Sequence, residues 1–310
     1  MRLLVVGAGS TGGYFGGRLV QASRDVTFLV RPGRAAQLRS RGLEIVSPHG
    51  DVTLQPKLVT ADELREPYDA ILLTVKNFSL QAALDELSPA VGPNTVILPV
   101  LNGMRHVDLL KARFGVNAVG GCTCKVMTVL DDAGRVVQLT GIQDLAYGEL
   151  DGRQSERMQQ LDRFMTGAGF DAKHSTTIVR EMWEKWLLLA SMGGITCSMR
   201  GNLGQVEAVP GGRDFILNFV DEVAAVISSV GVPPSDTVLS AVRELLSTKG
   251  STFASSMYRD LERGLPIEAD DIIGDLLQRG RDAGIATPLL AAAYTHLCVY
   301  MARRQETASR

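Results

Sequence analysis

Leu3-Leu4-Val5-Val6-Gly7-Ala8-Gly9-Ser10-Thr11-Gly12 stands at the head of the chain, with Gly13, Gly16 and Gly17 close behind. Four consecutive apolar residues read as a buried strand, and the glycines that follow turn it sharply. Tyr14, Phe15, Leu19 and Val20 then keep helical spacing, and Val26-Thr27-Phe28-Leu29-Val30 reads as a second strand. A strand that feeds a glycine turn and then a helix sets backbone N–H groups and the positive end of a helix dipole at one spot, which suits a pyrophosphate. In this pattern Gly7 permits the tight turn, Gly9 lets the phosphates approach the backbone, and Gly12 lets the helix sit close to the strand, with Ser10 and Thr11 inside the same turn. The motif alone is a weak signal, but the strand before it and the helix after it supply the context it requires.

The second strand runs into Arg31, about 20 residues past the turn, where an NAD site offers an acid to the ribose 2′-hydroxyl. No acid stands there. Arg31, with Arg34 three residues on, offers positive charge and a guanidinium fork to a 2′-phosphate, so the expected cofactor is NADPH rather than NADH. The competing reading is a solvated arginine at a strand end.

The 310 residues are enough for two domains, and 45% hydrophobic with 21% charged residues describes an ordinary soluble globular protein. A net charge of −2 gives no electrostatic reason to expect nucleic acid or an anionic membrane as partner. Cys122, Cys124, Cys197 and Cys298 are too scattered for a disulfide framework, and read as reduced thiols of a cytoplasmic protein. His49, His106, His174 and His296 form no ligand cluster, so no metal is expected. The N-terminal apolar stretch is too short for a signal peptide, and no segment reaches the roughly 20 apolar residues that span a bilayer.

Strands are expected near 2–6, 26–30, 69–75, 95–99 and 117–120, with antiparallel pieces around 125–130, 135–140 and 144–148, giving an α/β sheet with a mixed edge. Asp132-Ala133-Gly134 reads as a hairpin turn in which Gly134 takes a positive φ. From Ile178 the period changes to that of helices, near 178–198, 212–230, 236–248, 252–263, 268–283 and 288–303, and Arg304 to Arg310 read as a frayed tail. The fold class is therefore α/β: an N-terminal Rossmann-type NADP-binding domain, 1–176, followed by an all-helical C-terminal domain, 177–310.

Lys76 follows the apolar run Ala70 to Val75, and Asn102-Gly103-Met104 follows the run Val96 to Val100. Both lie past the carboxyl ends of strands, where open α/β sheets hold their ligands. Spacing alone leaves them equally well explained as a solvated lysine and an ordinary Asn-Gly turn. Trp183-Glu184-Lys185-Trp186 opens the first long helix, and Lys185, Leu189 and Gly193 share one face of it. A lysine beside tryptophans in an apolar helix is partly desolvated, which suits a proton donor; a snorkelling lysine is the alternative. Ser256 and Glu268 stand at the starts of two helical stretches, where local sequence explains them as a cap and a first-turn acid.

Taken together these pieces resemble the ketopantoate reductase family over nearly the whole chain. They follow its order: Gly7 to Gly12, Arg31, Thr74-Val75-Lys76, Asn102-Gly103-Met104, Trp183-Glu184-Lys185, Ser255-Ser256-Met257-Tyr258-Arg259-Asp260 and Pro266-Ile267-Glu268. The resemblance implies hydride transfer from NADPH to the ketone carbon of an α-keto acid, giving pantoate from 2-dehydropantoate (ketopantoate), in pantothenate biosynthesis. It implies that Lys185 is the general acid and clamp on the carbonyl oxygen, that Asn102 and Lys76 line the cofactor side, that Ser256 holds the substrate carboxylate, and that Glu268 meets the nicotinamide ribose and the lysine. Lys185 and Asn102 would also touch the substrate. The apolar C-terminal helices permit a homodimer.

One departure bears on the substrate. The family helix reads W-x-K-x-x-x-N-x-x-x-N, and here the two asparagines are Leu189 and Gly193; a third, three residues before Ser256, is Phe253. Either other residues, Ser191 or Asn202, take over, or the keto acid is less polar. A dehydrogenase of the 6-phosphogluconate and β-hydroxyacid group and a non-catalytic NADP sensor are the competing classes. Lys185 and Glu268 together weigh against the sensor.

Overall fold

A computed structural model of the chain describes residues 1–308. Its contacts divide into two units, Met1–Leu101 with His106–Val179, and Asn102–Arg105 with the chain from Arg180 onward.

The first unit runs β1 (Leu3–Val6), α1 (Ser10–Gln21), β2 (Val26–Leu29), α2 (Pro32–Arg41), β3 (Leu43–Val46), β4 (Val52–Leu54), β5 (Lys57–Val59), β6 (Ala70–Leu73), α3 (Leu80–Leu87), β7 (Val96–Pro99), α4 (Arg105–Phe114), β8 (Gly120–Leu130), β9 (Val136–Glu149), α5 (Glu156–Met165) and β10 (Asp171–His174). One sheet has the order β5-β2-β1-β6-β7 with every pair parallel. β1, β6 and β7 are buried at every position, which explains their unbroken apolar runs: a parallel sheet covered on both faces has no polar side to alternate toward. The chain lays strands outward from β1 through β2 to β5 and then returns to β6 and β7, so the order reverses between β1 and β6. The carboxyl ends of those two strands are where such a sheet binds ligands.

The expected mixed edge is instead a second sheet, ordered β10-β9-β3-β4, with β8 pairing antiparallel to β9. Its strands β3, β4 and β10 have three or four residues each, too few for a period-2 signal, and went unread in the sequence. β9 is one continuous strand where two pieces were expected, and residues 116–118 form a 3₁₀ turn ahead of β8. The hairpin turns at Gly134, with φ +80°. α1 lies between the two sheets. A Cβ on Gly16 would stand 2.6 Å from the Phe28 ring of β2, and one on Gly17 would stand 2.5 Å from Ile45 of β3.

The second unit is helical, with no strand among the described residues. It comprises α6 (Ile178–Met199), α7 (Leu203–Glu207), α8 (Gly212–Val230), α9 (Asp236–Leu246), α10 (Ser256–Glu262), a π-helical turn at Asp270–Gly274, α11 (Asp275–Asp282) and α12 (Pro288–Ala308). Helix α8 packs against α7, α9, α11 and α12. The short α7 went unread, although its capping box, Asn202 with Gln205, is a start signal. The expected fraying from Arg304 is not seen: α12 continues to Ala308, and the Arg304 guanidinium donates to the Gly264 carbonyl at 2.9 Å. Ser309 and Arg310 lie outside the described residues. Among the described residues, no helix is long and apolar enough to cross a membrane.

Candidate active site

The first cluster lies where β1 and β6 end. Gly7 holds φ +97°, a conformation that glycine adopts without strain. The Thr74 hydroxyl, just past β6, donates to the Val6 and Gly7 carbonyls at 2.9 and 3.0 Å, so it laces the glycine turn to the neighbouring strand. A Cβ on Gly12 would collide with both that hydroxyl and the Gly7 carbonyl oxygen. On the other side the turn is open, since a Cβ on Gly9 would meet nothing within 4 Å. Gly9 is the N-cap of α1 and has no capping side chain, and no acid stands in the first turn. The N–H groups at Ser10, Thr11 and Gly12 thus have no intrahelical acceptors, and no neighbouring acid offsets the positive end of the helix dipole. Backed by protein at Gly12 and open at Gly9, this turn fits the pyrophosphate expected there.

Arg31 stands at the N-cap position of α2 without capping it through its side chain, is exposed, and extends its guanidinium to 3.5 Å from the Ser79 hydroxyl. Arg34 is tied within the protein instead. Its guanidinium donates to the Ala8 carbonyl at 3.2 Å, to Gln37 at 2.6 Å and to the Gly134 carbonyl at 3.0 Å, tying the glycine turn and the β8–β9 hairpin to α2. Lys76 is exposed, in extended backbone ahead of the 3₁₀ turn Asn77–Ser79.

The second cluster belongs to the helical unit. Lys185 is half-buried, and both of its neighbours are fastened. The Glu184 carboxylate accepts from the Ser235 N–H and hydroxyl, each at 3.0 Å, and the Trp186 indole donates to the Ile272 carbonyl at 2.9 Å. The Trp183 and Trp186 rings lie 5.3 Å apart under the Arg279 guanidinium. Asn102-Gly103-Met104 packs with this unit. Gly103 holds φ +83°, and a Cβ there would stand 2.5 Å from the Asp271 carbonyl oxygen. Glu268 is half-buried just before the π-helical turn, its carbonyl accepting from the Ile272 N–H at 3.0 Å. Burial pushes the Asp271 carboxyl up to about 6, against the pull of Arg105.

Ser256 is exposed at the first position of α10, and the capping role falls to Ser255, whose hydroxyl accepts from the Tyr258 N–H at 2.9 Å. Ser255 also lies 2.9 Å from the Thr196 hydroxyl, joining the start of α10 to α6. The methyl of Met257 lies 2.8 Å from where a Cβ on Gly193 would stand, so it fills the volume of any side chain there. Of the two residues that could stand in for the family asparagines, Ser191 is wholly buried with no partner for its hydroxyl among the described residues, and Asn202 is engaged in the capping box of α7. Phe253 is 54% exposed. Sequence reasoning missed the Thr74 hydroxyl, Ser79 and Asp271. A threonine directly after a buried strand was the one available signal for Thr74. Among the described residues no cluster of three or more His, Cys, Asp or Glu side chains could hold a metal.

Two family descriptions match the chain: "Ketopantoate reductase PanE/ApbA" over residues 3–152 and "Ketopantoate reductase PanE/ApbA C terminal" over residues 177–300. An uncharacterized oxidoreductase of Bacillus subtilis, YkpB, is 34% identical over 304 residues, covering 98% of this chain and all of the relative. Among solved structures, a 2-dehydropantoate 2-reductase from Geobacter metallireducens is 27% identical with a TM-score of 0.85, covering 96% of this chain and 99% of that one. The fold is shared with a D-mandelate dehydrogenase solved with NADH and anilino(oxo)acetate, at 20% identity and a TM-score of 0.87, covering 98% of this chain and 100% of that one.

Proposed function

The chain belongs to the ketopantoate reductase family of oxidoreductases, and on that premise we propose that it reduces the ketone of a small 2-keto acid with NADPH, 2-dehydropantoate to pantoate being the reaction its named relatives indicate. The observation that carries this reading is the glycine turn, backed at Gly12, open at Gly9 and set at the point where the strand order reverses. NADPH, when bound, supplies the hydride. On this reading residues 1–176 form the cofactor domain and 177–310 the substrate domain.

Gly7, Gly9, Ser10, Thr11 and Gly12 offer backbone to the pyrophosphate, and Arg31 offers its guanidinium to the 2′-phosphate, with the Ser79 hydroxyl beside it. Lys76, Asn102 and Glu268 serve the rest of the cofactor. Lys185 gives a proton to the ketone oxygen and stabilises the negative charge that develops there; its fastened neighbours hold the helix backbone still while it does so. Ser256 holds the substrate carboxylate, a role consistent with Ser255 taking the cap.

A second reading, a less polar 2-keto acid, is favoured by a specific observation. One helical face carries Lys185, then Leu189, then Gly193 covered by the Met257 methyl, and beyond Lys185 offers no polar side chain to a hydroxylated substituent. A buried polar group left without a partner loses about 1 to 3 kcal/mol. The deciding experiment follows NADPH oxidation with 2-dehydropantoate against apolar, branched and aromatic 2-keto acids. Preference for 2-dehydropantoate supports the first reading and preference for another acid the second. NADPH binding without turnover on any of them rejects both in favour of a sensor.

A further inference from the structure

We infer that Asp271 is a positioning residue, holding the Asn102–Arg105 loop against the turn that follows Glu268 and the helix that carries Lys185. The inference rests on the reading of Asn102, Lys185 and Glu268 proposed above.

Three segments, each bearing one of those residues, meet at two consecutive positions. Asp271 lies three residues after Glu268, inside the π-helical turn Asp270–Gly274, a rare geometry that occurs frequently at functional sites. Its backbone carbonyl lies so close to Gly103 that only a glycine fits, and Gly103 turns the loop with φ +83° directly after Asn102. Its carboxylate lies 3.8 Å from the guanidinium of Arg105, at the far end of the same loop. The next carbonyl, that of Ile272, accepts the indole N–H of Trp186, the residue after Lys185. The Trp186 ring also stands 3.9 Å from the position of a Gly103 Cβ, so loop, turn and helix share one contact. The carbonyl contacts fix where the loop can rest. The ion pair decides how firmly it rests there.

The charge on this carboxylate is sensitive to pH. Burial raises the carboxyl to about 6, Glu268, Asp270 and Asp275 push in the same direction, and Arg105 alone among the contributing groups opposes them. On the packed elements, Tyr294 of α12 donates to Asp270 at 2.8 Å, Arg279 of α11 pairs with Asp275 at 3.0 Å, and Lys185 of α6 neighbours Trp186. Protonation as the pH falls through about 6 therefore removes the partner of Arg105.

The test compares the wild-type chain with Asp271→Asn, Arg105→Ala and the double variant. Asparagine keeps the backbone carbonyl and the side-chain shape, and Arg105 is 56% exposed, so each single variant removes the charge pair with little disturbance of packing. Two readouts are followed against pH: fluorescence excited selectively at tryptophan, which reports Trp183 and Trp186, the two tryptophans of the chain, and kcat/KM on the best 2-keto acid. The wild type is expected to show a transition in both near pH 6. Arg105→Ala moves it to higher pH, because the one opposing charge is gone, and Asp271→Asn abolishes it. Above the transition Asp271→Asn lowers kcat/KM about 2- to 5-fold, the range of a partly exposed ion pair, and the double variant loses no more than the single one. A fluorescence transition that is missing in the wild type, or that persists in Asp271→Asn, overturns the inference, as do additive losses in the double variant. Absence of turnover on every 2-keto acid would reject the parent reading instead, and the fluorescence transition would still decide the role of Asp271.

Discussion

Replacing Gly12 and Gly9 by alanine, one at a time, should separate the structural glycine of the turn from the ligand-facing one. In Gly12→Ala the new methyl collides with the Gly7 carbonyl oxygen, which is backbone, and with the Thr74 hydroxyl, which is engaged with Val6 and Gly7 at 2.9 and 3.0 Å. Overpacking costs about 1 to 3 kcal/mol, and displacing the hydroxyl costs about 1 kcal/mol for each of its two hydrogen bonds, giving roughly 3 to 5 kcal/mol in total. For a unit of this size that is a fall in Tm on the order of 10 °C. Gly9→Ala meets nothing within 4 Å, and its φ of −79° suits any residue. Its stability cost stays below about 1 kcal/mol. The same methyl stands where a pyrophosphate would approach, so NADPH affinity should fall about 10- to 100-fold, the loss of one or two charge-assisted hydrogen bonds. The assay is thermal unfolding without ligand, paired with an NADPH titration at a temperature where both variants are folded. If Gly12→Ala melts like wild type, or Gly9→Ala loses as much stability as Gly12→Ala, the assignment of the two faces is wrong.

Arg31→Ala should weaken NADPH binding about 10-fold or more and leave NADH binding nearly unchanged, measured by parallel titrations; equal losses would place Arg31 away from the 2′-phosphate. Lys185→Ala should abolish turnover and leave the NADPH dissociation constant within about 3-fold, because the proton donor is removed while the glycine turn is untouched. Gly103→Ala combines a φ of +83° with a Cβ 2.5 Å from the Asp271 carbonyl. It should destabilise the helical unit by about 2 to 5 kcal/mol in thermal unfolding. Asp271→Asn should stabilise the protein near neutral pH. A carboxyl raised to about 6 in the fold binds its proton more tightly there than in the unfolded chain, so stability is lost as pH rises from about 4 through 6. The gain is at most roughly 3 kcal/mol at pH 7.5 and vanishes near pH 4; a lower Tm for the variant at pH 7.5 would contradict it.

The stability given up at Asp271 fits a residue kept for position. An uncharged residue there would be better tolerated by its half-buried surroundings, but it would leave Arg105 without its partner at the end of the Asn102 loop. Burying charge without loss of function is the same compromise that ligand sites commonly make.

Local sequence determined β1, β2, β6 and β7 of the parallel sheet and the longer helices of the second unit, because their signals are local and repeated, whereas β5 and α7, three and five residues long, are too short to carry one. β1, β6 and β7 read as apolar runs since both faces are covered, and α6, α8 and α12 are long enough for a helical period to stand out. The turn from Gly7 to Gly12 was legible for a different reason: Gly7 holds a positive φ and Gly12 has no room for a Cβ, demands that almost no other residue meets. Tertiary structure alone decided the rest. β3, β4 and β10 are too short to carry a period, and they are strands only because β9 and one another offer partners. Arg31 and Arg34 are the same residue type three positions apart, and nothing local tells which is exposed and which is bound to the carbonyls of Ala8 and Gly134. Asp271 lies 168 positions beyond Gly103, a separation across which no spacing rule reaches. Its importance comes from packing, which brings a carbonyl, a carboxylate and an indole from three distant segments to one point.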